Sequence, residues 1–151
     1  MKKNFLVFAF IIFGFSAFGS GVFAQKQIEP QIQRDPILEL DANHNLEVAN
    51  QYFKTKKAYK AVLMRFEETF AAYPEFSRMD EFLYLAGMSS FYLSENKGKQ
   101  KVTSEADKLK FAPEKMREEA TAYLAQLIEK YPQSQFKADA EKTLKTLEAK
   151  K

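Results

Sequence analysis

The chain has 151 residues, no cysteine, and 23 basic against 20 acidic side chains, a formal net charge of +3. That near-balance gives no global field toward nucleic acid. Without cysteine these residues form no disulfide, so a domain of this length must be held by packing alone.

Residues 1–24 have the layout of a secretory signal peptide. Lys2 and Lys3 make a positive start, Phe5 to Phe13 is an apolar run, and Gly14, Gly19 and Gly21 loosen its end. Val22-Phe23-Ala24 puts small side chains three and one before Gln25, so cleavage is expected after Ala24. The alternative is an uncleaved membrane anchor, since residues 4–24 carry no charge. Removal of Lys2 and Lys3 would leave 21 basic against 20 acidic residues. With no cysteine there is no lipobox, and no lipid anchor is expected.

Residues 25–40 hold Pro30 and Pro36 among Gln and scattered apolar side chains. They read as a flexible leader, ordered only near Ile37-Leu38. A helical domain follows over 41–151. Leu46, Ala49, Tyr52 and Phe53 share a face of a first helix, expected from Asn43 to Thr55. Tyr59, Val62, Leu63, Phe66, Phe70 and Tyr73 make the stripe of a second, from about Lys57 to Tyr73, which Pro74 stops. Ser77 is expected to cap a third helix, about Arg78 to Leu93, with Asp80 three residues on. This helix is apolar almost all round, which makes it central. Gly87 within it points to close approach of a neighbouring helix.

Residues 94–112 are polar and Lys-rich and read as an insertion, with a short helical turn near 104–110. Pro113 then opens a fourth helix that Pro132 stops. Ser134 is expected to cap a fifth, through Phe136, Ala140, Leu144 and Leu147.

Two segments are written alike. Aligning Pro74 with Pro132 brings Val62 onto Ala120, Phe66 onto Leu124, Phe70 onto Ile128 and Tyr73 onto Tyr131. A helix that ends in Pro, with small or apolar residues twelve and eight before it, fits the second helix of a tetratricopeptide repeat. The offset is longer than that repeat, and the insertion accounts for most of the excess. The expected fold is all-α: about five helices in antiparallel pairs, the last acting as a cap.

The helices of residues 44–93, the insertion, and the closing stretch "AYLAQLIEKYPQSQFKADAEKTLKTLEAK" together resemble the BamD (YfiO) family of outer-membrane assembly proteins. The resemblance covers roughly residues 44–149, and the Tyr-Pro segments and the long insertion carry most of it. Two departures stand out: the lipidated cysteine of the assembly lipoproteins is absent, and this chain has fewer repeats. The resemblance implies a scaffold or assembly role in the cell envelope, in the periplasm or at the outer membrane. The implied partners are other envelope proteins, the β-barrel assembly machinery among them. An adaptor for another envelope complex, such as cell-wall synthesis, is the alternative.

Little here could carry catalysis. His44 is the one histidine, beside Asn43 and Asn45, where capping or plain exposure is the simplest role. Asp41 with His44 makes a weak metal site. Glu67-Glu68 and Glu118-Glu119 read as solvated helix faces, and no Gly-rich phosphate loop is present. Neither an enzyme nor a bound cofactor is expected.

Two features remain as candidate binding sites. Tyr84, Met88 and Phe91 form a second apolar stripe on the third helix, beyond what one buried face needs. The expected cover is a client segment, or else the leader or the insertion folded back. Two lysine clusters, Lys54, Lys56, Lys57 and Lys60, then Lys97, Lys99 and Lys101, suit acidic headgroups at a membrane surface or an acidic partner. Interspersed acids make solubilising charge the plainer role for them. From these clusters Lys54, Lys57, Lys97 and Lys99 are the candidate contacts.

Overall fold

Asp35 sets the start of the first helix. Its carboxylate accepts from the amide N–H of Ile37 at 2.8 Å and of Leu38 at 3.4 Å, and Pro36 occupies the first helical turn. Helix α1 therefore runs Pro36–Gln51, seven residues earlier than Asn43. It takes in the last residues of the expected leader. The structure, a computed structural model, describes residues 34–149. The expected signal peptide and residues 25–33 lie outside the described residues.

The chain leaves α1 through a π turn, Tyr52–Lys56, which Lys57 closes in the left-handed region at φ 49°. Helix α2 follows over Tyr59–Ala72, and α3 over Met79–Ser94. A short helix α4, Glu105–Lys110, is capped by Ser104, whose hydroxyl accepts from Asp107 N–H at 3.0 Å. It forms where a helical turn was expected in the insertion. Helix α5 spans Pro113–Lys130 with Pro113 in its first turn, and α6 spans Lys137–Glu148. The described residues contain no strand. Each long helix packs on the next, in the order α1, α2, α3, α5, α6.

The two Tyr-Pro punctuations fold alike. Tyr73 N–H donates to Thr69 O at 2.7 Å, and Tyr131 N–H to Leu127 O at 2.9 Å. Phe76 N–H then reaches Tyr73 O, as Ser134 N–H reaches Tyr131 O. Proline cannot continue either helix, so the chain turns and the next helix packs back. The alignment holds in the core as well. Val62 and Phe66 are buried, as are Ala120 and Leu124, while Phe70 and Ile128 both lie at an edge. Phe66 meets Phe82 and Tyr123 edge-on, with ring centroids 5.6 Å and 4.9 Å away. Each such buried side chain contributes about 1.5–3 kcal/mol of transfer free energy.

Neither serine caps as expected. Ser77 gives its hydroxyl and its amide N–H to the Glu39 carboxylate of α1, and α3 begins without a side-chain cap. Ser134 donates to Asp80 Oδ2 at 2.6 Å, which ties the second turn to the start of α3. Ser134 also accepts from Phe136 N–H at 3.3 Å, but neither serine makes a side-chain cap bond to the helix that follows it. Residues 33–151 form one compact unit, which holds the buried core of the described residues.

Candidate partner-binding surface and lysine-rich face

The expected docking stripe is covered by the chain itself. Met88 is 8 % exposed, and its Sδ lies 3.5 Å from the Thr143 hydroxyl of α6. Tyr84 stacks on Phe136, just before α6, with ring centroids 4.7 Å apart. Burial raises the Tyr84 phenol above its usual pKa, and Asp139 of α6 adds to the effect. Phe91 is half-buried beside Tyr92. Two of the three stripe residues, Tyr84 and Met88, thus lie against α6 and the turn before it. Helix α3 is central, with α5 on one side and α6 over Tyr84 and Met88 on another. Among the described residues, that cover comes from α6 and the turn before it.

The two lysine clusters, far apart in sequence, come together. Lys99 N–H donates to the Lys57 carbonyl at 3.0 Å. Gln100 Oε1 accepts from Ala61 N–H at 3.1 Å, and the Lys60 ammonium donates to Lys101 O at 3.2 Å. Gly98 makes this approach possible. It sits at φ +120°, and a Cβ there would stand 3.0 Å from the Tyr59 ring and 3.2 Å from Lys57 O. Lys54, Lys56, Lys57, Lys97, Lys99 and Lys101 are all exposed. Lys60 is less exposed and pairs with Asp107 at 2.6 Å. Beneath the face, Phe53, Tyr59 and Tyr92 pack ring against ring. Lys56 lies over Tyr52 at 4.8 Å from the ring centroid, and Lys97 over Tyr92 at 5.8 Å.

Other candidate groups are spread out. His44 and Asp41 are exposed on α1. Glu67 pairs with Lys110, and Glu68 with Arg65. These pairs flank an open groove of about 640 Å³ beside Tyr52 and Met64. Burial raises the Glu119 carboxyl, with Lys115 opposing the shift. Among the described residues no three His, Cys, Asp or Glu converge as metal ligands. Sequence reasoning missed the π turn and the contact between loop and helix. Gly98 between lysines was the one mark of the latter.

Paired helices joined by twin Tyr-Pro turns and closed by α6 define a helical-repeat protein. A family model described as YfiO, outer membrane lipoprotein, matches residues 24–150. The chain belongs to this family, the one that its sequence resembles. No curated protein and no solved structure gives a match. The family description points to the cell envelope. Its word "lipoprotein" runs against the expectation of no lipid anchor, and these 151 residues hold no cysteine.

Proposed function

We propose that the protein is a non-catalytic scaffold of the cell envelope that binds other proteins during the assembly of outer-membrane β-barrels. The observation that carries this reading is the match to the outer-membrane lipoprotein family across residues 24–150. A stack of helix pairs suits the role. Each pair buries one face on its neighbour, and the outer faces stay free for partners without rearrangement of the core. A tagged chain recovered from detergent-solubilised envelope tests the reading. Enrichment of the β-barrel assembly machinery is the expected result. Enrichment of cell-wall synthesis enzymes in its place would overturn it in favour of an adaptor role.

A further inference from the structure

We propose that the outer groove between α1 and α2 is a docking site for an amphipathic helix of a partner protein, one whose apolar stripe is flanked by lysine or arginine. The site stands whichever assembly the scaffold serves, so this proposal and the envelope role fail separately.

Position in the stack comes first. Each long helix packs on the next in chain order, so α1 and α2 form one end of the row and α6 the other. A stack of helix pairs stays soluble when its end pieces turn a polar face outward. Helix α6 does so, and among the described residues it exposes no large apolar side chain. The first pair does not. Of the six large apolar side chains exposed among the described residues, Ile37, Leu38, Leu40, Met64 and Phe70 belong to α1 and α2. Ile37 is 71 % exposed and Met64 60 %. A pocket of about 150 Å³ opens between Leu38 and Ala42 of α1 and Ala72 and Tyr73 at the end of α2. Glu68 lines this pocket and also the groove beside Tyr52 and Met64, so the two lie end to end along the pair. From Leu38 to Tyr52 the run is about 21 Å at the helical rise, the length of about four turns.

The charge on the groove selects the occupant. Helix α1 carries Glu39, Asp41 and Glu47 and neither lysine nor arginine. The pocket at its start takes an acid from each helix, Asp41 and Glu68, and no base. Ser77 holds Glu39, and Arg65 takes one oxygen of Glu68 at 2.7 Å. Farther along, Lys110 is matched by Glu67. Among the described residues Asp41 forms no ion pair, so its charge is left on the rim of an apolar groove. A second copy would bring the same acids to this face, and an anionic membrane would bring phosphate, so each meets like charge. Residues 25–32 hold Lys26 and Glu29 and bring no net charge. A stripe of apolar side chains edged by bases fits both features: the stripe covers Ile37 and Met64, and a base reaches Asp41. The occupant is a helix because helix on helix is the contact that the other long elements of this fold make, and the described residues offer no strand edge to an extended peptide.

The test uses residues 33–151, the compact unit that holds the buried core of the described residues. The probes are two fluorescent peptides of about 20 residues, one of leucine and lysine patterned as a single amphipathic helix, the other with glutamate for each lysine. Anisotropy should show the lysine peptide bound and the glutamate peptide at least about tenfold weaker, since an exposed ion pair is worth up to about fivefold. Ile37→Ser with Met64→Ser should weaken the lysine peptide roughly a hundredfold, at about tenfold for each apolar side chain that the helix covers. Asp41→Lys with Glu68→Lys should reverse the preference between the peptides. The same charge change on α5, Glu118→Lys with Glu129→Lys, should not reverse it. All six side chains are exposed, and a circular dichroism melt checks that each variant folds. Equal effects of the two charge sets would mean that net charge alone governs binding and would overturn the proposal. So would a lysine peptide that does not bind, or that binds the Ile37 and Met64 variant unchanged. Three further results would each name another occupant and overturn it as well: a dimer in sedimentation that this variant dissociates, for a second copy; flotation with phosphatidylglycerol vesicles that this variant loses, for a membrane; and peptide binding about tenfold weaker once residues 25–32 are added back, for that segment.

Discussion

Gly87→Ala sets two effects of known sign against each other. Alanine in a helix interior is favoured over glycine by about 1 kcal/mol. On that ground alone α3 should gain stability. The structure says otherwise. A Cβ at Gly87 would stand 2.6 Å from both Cγ and Cδ2 of Leu124 on α5. Rotation about the outer bond of Leu124 moves Cδ2 and leaves Cγ where it is. Leu124 is fully buried, so relief requires a change at χ1 or separation of α3 from α5. Overpacking of this kind costs about 1–3 kcal/mol. Because Cγ is in the clash, the cost belongs in the upper part of that range. The expected net loss is about 1–2 kcal/mol. Urea melts measure it as a lower midpoint at unchanged slope. The sharper assay repeats the change in a Leu124→Ala background. That background alone costs about 2–5 kcal/mol. With the obstructing side chain gone, Gly87→Ala should now stabilise, by up to about 1 kcal/mol. The reversal of sign isolates the contact as a coupling between the two positions. Stabilisation by Gly87→Ala in the unaltered protein, or the same sign in both backgrounds, would refute the close approach of α3 and α5.

Tyr84→Ser with Met88→Ser should destabilise by at least about 3 kcal/mol, since both side chains lie under α6 and the new hydroxyl at Met88 enters an apolar site. Amide exchange in α6 should rise in step, and a thermal midpoint that barely moves would mean that the stripe is free after all. Tyr123 governs part of the alkaline limb. Burial, with Glu119 adding to it, pushes its phenol up to about 12 from the usual 10.0. Below pH 10 both folded and unfolded chains keep the proton, so this stability is fully present there. Between 10 and about 12 the unfolded chain loses the proton first, so stability falls as pH rises. Tyr123→Phe should make that fall shallower in melts taken across this range, and an unchanged slope would place the phenol in solvent.

The parts of the fold that proline and apolar spacing control were legible in the sequence. Pro74 and Pro132 stop α2 and α5 because a ring in place of an N–H leaves no other course, and the stripes before them face inward as their spacing requires. The start of α1 was not legible in the same way. Pro36 read as a breaker, although after Asp35 it is a residue already shaped for a first turn. Ser77 and Ser134 had the local signature of caps. Each is claimed by a carboxylate from elsewhere in the fold, Glu39 and Asp80, and the sequence does not say which acid will arrive. The second stripe on α3 was read as needing a cover. Its occupant was misjudged because α6 presents only Ala140, Thr143 and Leu147 as buried residues, too sparse a face to advertise where it would lie.

The lysine-rich face shows a deeper limit. A π turn has no periodicity of its own to read, since it shifts hydrogen bonds by one residue within an otherwise helical run. Lys57 closes it in a conformation that costs a residue with a Cβ roughly 1–2 kcal/mol. Composition alone would have placed glycine or asparagine there. Three local gains offset that cost. The Lys57 and Ala58 amides both reach Tyr52 O, Ala58 is buried, and the Lys57 carbonyl accepts Lys99 N–H. The last of these needs Gly98 at positive φ, so a strained lysine in one segment is stabilised by a glycine some forty residues away. Each cluster alone looks like ordinary solubilising charge. Their union is a property of the turn and the loop together, and it exists only because both adopt backbone conformations that side chains disfavour.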